Sequence, residues 1–562
     1  MNRVDNTSSR SKVLLRLRWP IVLVVALLLA ACGPATSPPA EQPGGQPAAP
    51  GQPQPDTQPK AAQPKSGGTL VLVNSLGDPP SFDVHQETTI SVIGPIMPNY
   101  DGLLMFDPLD PSKIVGDLAE RWEQSQDGRL YTFALRKGVK FHNGTPFTAA
   151  DAKYSLERMI SPPKGMVSPR RAALGAIERI EVPDATTLNI FLKQPSPSLL
   201  AILAQQRGMA MYSKAFLEEK GQEVMKKEIM GTGPYKLKDY VRGTSIELVK
   251  NPNYWMPGRP YLDGLKYFIL PDPNTRLAAF RTGQLHIHGL SVSDAQALEK
   301  ELAGKITIQR QQGISPQTFL LNTTREPFDD IRVRQAISMA IDREAGIKVL
   351  AQGDGDVSGH MPATGLWSLP REELAKLPGY ATDKAAEIAR AKQLLADAGY
   401  PNGFSVTLAT RNASSYVDLS TFVKDQLAKI GVEGNITPFE SAAIFDLFNK
   451  KDYAASPWSY GFSLDDPDSI FSEFYVCGSP RNYTGLCDDE MQRLFEQQSQ
   501  TLDPVQRKKL VQELDRKAIT QSAMIVLYFG RVRTGVWNQV KDYRVFPSSY
   551  NNVKMRDVWL DQ

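Results

Sequence analysis

From residue 33 to residue 66 the chain contains no aromatic residue and no Leu, Ile or Val; Pro, Gln, Ala and Gly dominate. Such a stretch has nothing to bury and is expected to be a partly extended tether. Fully extended at ~3.1 Å per residue, it reaches on the order of 100 Å. It therefore divides the chain: folded structure has to begin afresh at Gly67, leaving 496 of the 562 residues for the body. At about 100–200 residues per domain, that body holds several packed units. An apolar content of 41% is enough to give them cores.

The segment before the tether reads as an export signal. Arg10, Lys12, Arg16 and Arg18 precede a short apolar run from Pro20 to Ala31, the arrangement of a removable signal peptide over residues 1–31. The run closes as Leu29-Ala30-Ala31-Cys32, which resembles the lipobox of bacterial lipoproteins, so Cys32 is expected to carry the lipid. Several acyl chains would anchor it firmly, at ~0.8 kcal/mol per buried CH₂. Charge has to be read without this leader. The whole chain has 64 basic and 61 acidic residues, but residues 32–562 have 59 and 60. Basicity belongs to the signal, and a nucleic-acid partner is not supported. No other uninterrupted apolar run approaches the ~18 residues of a membrane span. Membrane contact is expected through the N-terminal lipid only, at the outer face of the cytoplasmic membrane or in the periplasm.

Two cysteines remain, Cys477 and Cys487, with Pro480, Asn482 and Gly485 between them to turn the chain back. Export into oxidising conditions favours a disulfide. A metal site is the weaker alternative, because no further Cys or His ligands lie nearby.

Along the body, alternating or short apolar runs predict strands at Thr69–Asn74, Arg129–Leu135, Thr187–Leu192 and Ser245–Lys250. Thr148 with Asp151 marks a helix start. A helix capped by Asp329 carries Val333, Ala336, Ile337, Ala340 and Ile341 at helical spacing. Further helices are predicted over 384–398, stopped by Gly399, and 414–430, stopped by Gly431. Strands at 405–410 and 432–438 flank the last helix, a βαβ pattern and hence an α/β lobe.

Catalytic and cofactor motifs are missing. Gly353, Gly355 and Gly359 lack dinucleotide-binding spacing, and neither a P-loop nor a nucleophile elbow is present. His286 and His288 would share one face of a strand; two polar residues on an exposed face explain them better than a metal site does. No carboxylate pair stands out for acid–base work. No cofactor and no enzymatic activity are expected.

Several segments, in order, resemble the family 5 extracellular solute-binding proteins, the oligopeptide, dipeptide and nickel binding components of ABC importers. They are residues 99–106 (NYDGLLMF), 116–124, 126–158, Gly231-Thr-Gly-Pro-Tyr235, Asn251-Pro-Asn-Tyr-Trp255 and 321–343. The Cys477–Cys487 stretch is similar to the dipeptide-binding branch, where the matching pair is a disulfide. Physically, the glycines of 231–235 permit a tight backbone path and Asn143-Gly144 signals a turn, so these motifs read mainly as architecture.

The resemblance implies a two-lobed periplasmic-binding-protein-like α/β fold of the large type. Residues 67–92, 207–315 and 528–562 would form lobe one, 93–206 an inserted subdomain and 316–527 lobe two. Hinges would lie near residues 317–320 and 525–529. A ligand would be enclosed between the lobes and passed to an ABC permease with its ATPase subunits, by a monomer.

By the same analogy four segments border the cleft: Glu87, Thr88 and Thr89; Gln317 and Phe319; Asn412 to Tyr416; and Trp458, Tyr460, Phe462, Ser463 and Asp465. Peptide-binding relatives commonly carry an Asp that pairs with the ligand's ammonium where Ser463 stands. A Ser cannot neutralise a buried ammonium, which is costly to leave unpaired. Either Asp465 takes that place in a peptide receptor, or the ligand is neutral, an oligosaccharide or glycoside stacked on Tyr416, Trp458, Tyr460 and Phe462. A nickel or metallophore receptor, a secreted hydrolase and a sensory or scaffold lipoprotein are the remaining alternatives.

Overall fold

The computed structural model describes residues 63–562, apart from residues 88, 172, 463 and 480. Cys32, Thr88 and Ser463 thus lie outside the described residues, as do the signal and most of the tether. Among the described residues no helix is long and apolar enough to cross a membrane.

Three larger sheets organise the body. The first has four strands. Thr69–Asn74 runs parallel to Gly264–Ile269, which is followed by antiparallel Ser245–Lys250 and Tyr235–Val241. Alternate residues of these strands (Leu70, Leu72, Ile246, Leu248, Leu265, Tyr267) share a core with Val558 and Leu560, from near the end of the chain. The second sheet is antiparallel and drawn from residues 119–192. Its inner faces (Tyr131, Phe133, Leu188, Ile190) pack with helix Ala149–Ile160 around a separate core. That helix starts as expected: the Thr148 N–H donates to Asp151 Oδ2 at 2.9 Å, half of a capping box.

The third sheet has seven strands. Strands Ser405–Arg411 and Glu433–Phe439 pair in parallel around helix Ser414–Ala428, the βαβ unit expected from periodicity. Helices Ile331–Ala340 and Lys384–Asp397 complete the covering layer, with Val333, Ala336, Ile337, Ala391 and Leu395 turned inward. The cap of the first is Asp330, whose side chain accepts from the Arg332 N–H, one residue later than expected. Gly399 and Gly431 follow helix ends with φ of 95° and 82°, a left-handed turn that side chains resist.

Two long strands, Ile306–Leu321 and Met524–Trp537, run antiparallel through the middle of this sheet. Their pairing slips between Gln312 and Pro316 and again between Gln317 and Thr318. At Gly313 a Cβ would sit 2.7 Å from the Gly530 carbonyl, so the strands approach too closely there for any side chain. Cys477 and Cys487 come together with Cα atoms 5.0 Å apart, within disulfide range.

Candidate functional site

Three of the quoted motifs, at residues 99–106, 231–235 and 251–255, meet at a buried charge cluster. Asp101, of the NYDG run, accepts from Thr232 Oγ1 at 3.0 Å, Trp255 Nε1 at 3.0 Å and Lys554 Nζ at 2.7 Å. Lys554 also pairs with Asp117, whose other oxygen accepts from Arg556 Nη1 at 3.0 Å. Both acids are fully buried. Burial works against ionisation of Asp101, but Lys554 holds its carboxyl below the usual range. Gly231 and Gly233 lie against the backbone of Asn99 and Tyr100, where a Cβ would fall 2.0 Å and 2.4 Å from the nearest atoms. Every charge here has its partner inside the protein, which makes the cluster architecture.

A different arrangement occurs at the carboxyl ends of the parallel strands Ser405–Arg411, Glu433–Phe439 and Ala455–Ser459. In open α/β sheets, ligands bind in the crevice outside such strand ends. Arg411 closes the first strand. Its guanidinium lies 5.3–5.5 Å from the ring centres of Tyr416, Phe445 and Trp458, in cation–π range. Its Nε is buried without a hydrogen-bond partner, and no carboxylate pairs with it among the described residues. After the third strand, the chain passes Asp465 before helix Pro467–Phe474. Asp465 keeps solvent access, yet burial and the charge of Asp466 push its carboxyl up to about 7. The residue nevertheless presents much of its surface to solvent. Its carboxylate has no hydrogen-bond or ion-pair partner among the described residues. Asp466, by contrast, accepts twice from Arg507, at 3.0 and 2.9 Å, and caps the helix through the Asp468 N–H. The acidic run therefore shapes a helix start and leaves one free carboxylate.

The residues expected to contact ligand occupy varied surroundings. Phe319 is fully buried in the core with Phe328 and Val333. Trp458, Tyr460 and Phe462 are 3–5% exposed and packed on neighbouring rings: Trp458 against Phe448 at 4.8 Å, Tyr460 and Phe462 against Phe474 at 4.0 and 5.6 Å. These rings occupy each other instead of standing open as stacking platforms. Thr89 accepts from the Ser91 N–H as the cap of helix Ile90–Ile96. Glu87 accepts from Ser81 Oγ at 3.2 Å, and its carbonyl accepts from Arg170 at 2.7 Å. Gln317 donates to Ser459 Oγ at 3.2 Å, and exposed Asn412 to Glu440 at 2.9 Å. Tyr416 is half-buried beside Trp458, ring centres 5.0 Å apart. His286 is buried and its Nδ1 accepts from the Val71 N–H at 3.2 Å, which replaces the exposed strand face expected for it.

Arg411 was not among the residues singled out from sequence. Its position at the end of a predicted strand, just before a helix, was the available signal.

An α/β body in two lobes has the architecture of a periplasmic solute-binding protein. Residues 113–482 match the bacterial extracellular solute-binding proteins, family 5 Middle, and the chain belongs to that family. The glutathione-binding protein GsiB of Escherichia coli K12 is 34% identical over 343 residues, 61% of this chain and 64% of that protein. The match thus spans a little under two thirds of the relative's length. Among solved structures, DppA from Helicobacter pylori in complex with the peptide STSA superposes with a TM-score of 0.73 at 26% identity, covering 89% of this chain and 99% of that one. AgaA from A. tumefaciens R10, in complex with agropinic acid, gives 0.72 at 27% identity, covering 88% and 99%.

Proposed function

We propose that this protein is a lipid-anchored receptor outside the cytoplasmic membrane that captures a short zwitterionic peptide between its lobes and delivers it to an ABC permease. The observation that carries the ligand class is a carboxylate and a guanidinium that each lack an ionic partner among the described residues, one past strand Ala455–Ser459 and one at the end of strand Ser405–Arg411. The free carboxylate of Asp465 suits an ammonium group and the caged guanidinium of Arg411 suits a carboxylate. Relatives bound to a peptide or named for glutathione support the same reading. Asp465 takes the part that Ser463 cannot. A neutral oligosaccharide or glycoside loses support, because three of its four expected stacking rings are buried.

On this reading 67–92, 207–315 and 528–562 form one lobe, 93–206 an insertion and 316–527 the other lobe. The slipped pairing of the two long strands is the bend about which they close. Cys32 carries the lipid, Cys477 and Cys487 form a disulfide, and the protein works as a monomer without catalysing a reaction. Native mass spectrometry of the purified chain tests the ligand class directly. A released peptide is the expected result; a released sugar would overturn it.

A further inference from the structure

Leu464 and Asp468 flank Asp465, and both are seated in a different part of the molecule. Leu464 is 5% exposed and belongs to the apolar core built on the second sheet; every other buried member of that core lies between Leu103 and Met211, including Leu199, Ile202 and Leu203. Asp468 Oδ2 accepts from Ser198 Oγ at 2.6 Å, while its Oδ1 accepts from Gln498 Nε2 at 2.5 Å. Ser198 is 2% exposed and sits immediately before helix Leu199–Ala204, yet its hydroxyl makes no capping bond to that helix. It is turned to Asp468 instead. A third approach lies farther out. Gly128, in a turn of the second sheet, has φ of 67°, and a Cβ there would fall 2.4 Å from Leu502 Cδ1.

We infer that residues 93–206 act as the latch of the binding site: by holding Leu464 and Asp468, they fix Asp465 at the ligand and keep the two halves closed. Leu464, Asp468 and Ser198 are then positioning residues, none of which has to touch the ligand. The physical basis is two-sided. Opening the molecule exposes Leu464 and strips an apolar knob from its core. It also removes a charge-assisted hydrogen bond from a carboxylate that Arg507, 3.6 Å away, only partly compensates. The inference rests on Asp465 as the partner of the ligand's ammonium, and the test separates the two claims.

The test uses the full chain and the variants Ser198→Ala, Leu464→Ala and Leu464→Met. Small-angle scattering without ligand reads closure, and calorimetry with the dipeptide Ala-Ala between pH 5.5 and 8.5 reads the site. S198A and L464A are each expected to enlarge the radius of gyration and weaken binding about tenfold. They are also expected to move the pH midpoint of binding from about 7 toward the ordinary carboxylate range, because part of the burial that raises the Asp465 carboxyl is relieved. L464M, similar in volume, is expected to behave as the parent. Parent-like scattering and pH midpoint in S198A and L464A would overturn the latch. If circular dichroism shows L464A unfolded, S198A alone decides by the same two readouts. A parent that does not bind Ala-Ala sinks the peptide reading, while the scattering comparison still judges the latch.

Discussion

Two groups of charged side chains in this molecule differ in one respect. Around Asp101 and Asp117, both acids have cations, supplied by Lys554 and Arg556, and the neutral donors Thr232 and Trp255 fill the remaining valences. At Asp465 and Arg411 a carboxylate and a guanidinium each stand without an ionic partner. A buried charge is costly unless it is paired, whereas one that reaches the surface can be completed from outside the chain. The first group is completed by the chain; the second is the one proposed above to take the ligand.

The comparison is broken most severely on the paired side. Asp117→Ala leaves Lys554 and Arg556 buried with one carboxylate fewer, and is expected to cost about 3–5 kcal/mol in urea denaturation. On the unpaired side the effects fall on binding. Asp465→Asn is expected to weaken Ala-Ala by about 2–5 kcal/mol in calorimetry. Its stability should move the other way. A carboxyl whose proton is held up to about 7 when folded destabilises the fold once ionised, so the Asn variant should match the parent near pH 4 and be the more stable above pH 7. Lower stability of the variant at pH 8 would mean that Asp465 has a structural partner after all. Arg411→Met is expected to reduce binding of Ala-Ala about tenfold, with little change for the C-terminal amide of the same dipeptide. The mildest test leaves the chain intact. The charged form that an ammonium needs is present above about 7 and lost below it, so affinity should fall about tenfold between pH 8 and pH 6. A flat profile would remove Asp465 from the site.

Much of the framework could be read from the residues themselves. The strand at 69–74, the strand at 187–192 and the βαβ unit over 405–439 appear where apolar periodicity put them, because the face each strand buries is written in its own alternation, whatever partner it meets. Short-range signals also worked at Thr148, and missed by one residue at Asp330, where neighbouring aspartates compete for the cap. Long-range pairing could not be read in that way. The motifs at 101, 232 and 254–255 were visible as motifs, yet nothing local shows that they meet at one carboxylate. Arg411 was passed over because an arginine at a strand end looks like any solvated charge until its aromatic neighbours, from three separate elements, are in place. Trp458, Tyr460 and Phe462 show the converse difficulty, since a cluster of rings looks the same in sequence whether it faces a ligand or itself, and here the rings pack on Phe448 and Phe474.

The ion pairs of Lys554 span 453 residues to Asp101 and 437 to Asp117. A ribosome adds about 5–20 residues per second, so roughly 20–90 s separate the synthesis of Asp117 from that of its cations. During that interval the two acids have no counter-charge, and the region where the early motifs meet cannot lock. The early part of the chain is finished by some of its latest-made residues. Until they arrive, Asp101 and Asp117 lack the cations that complete them in the folded protein.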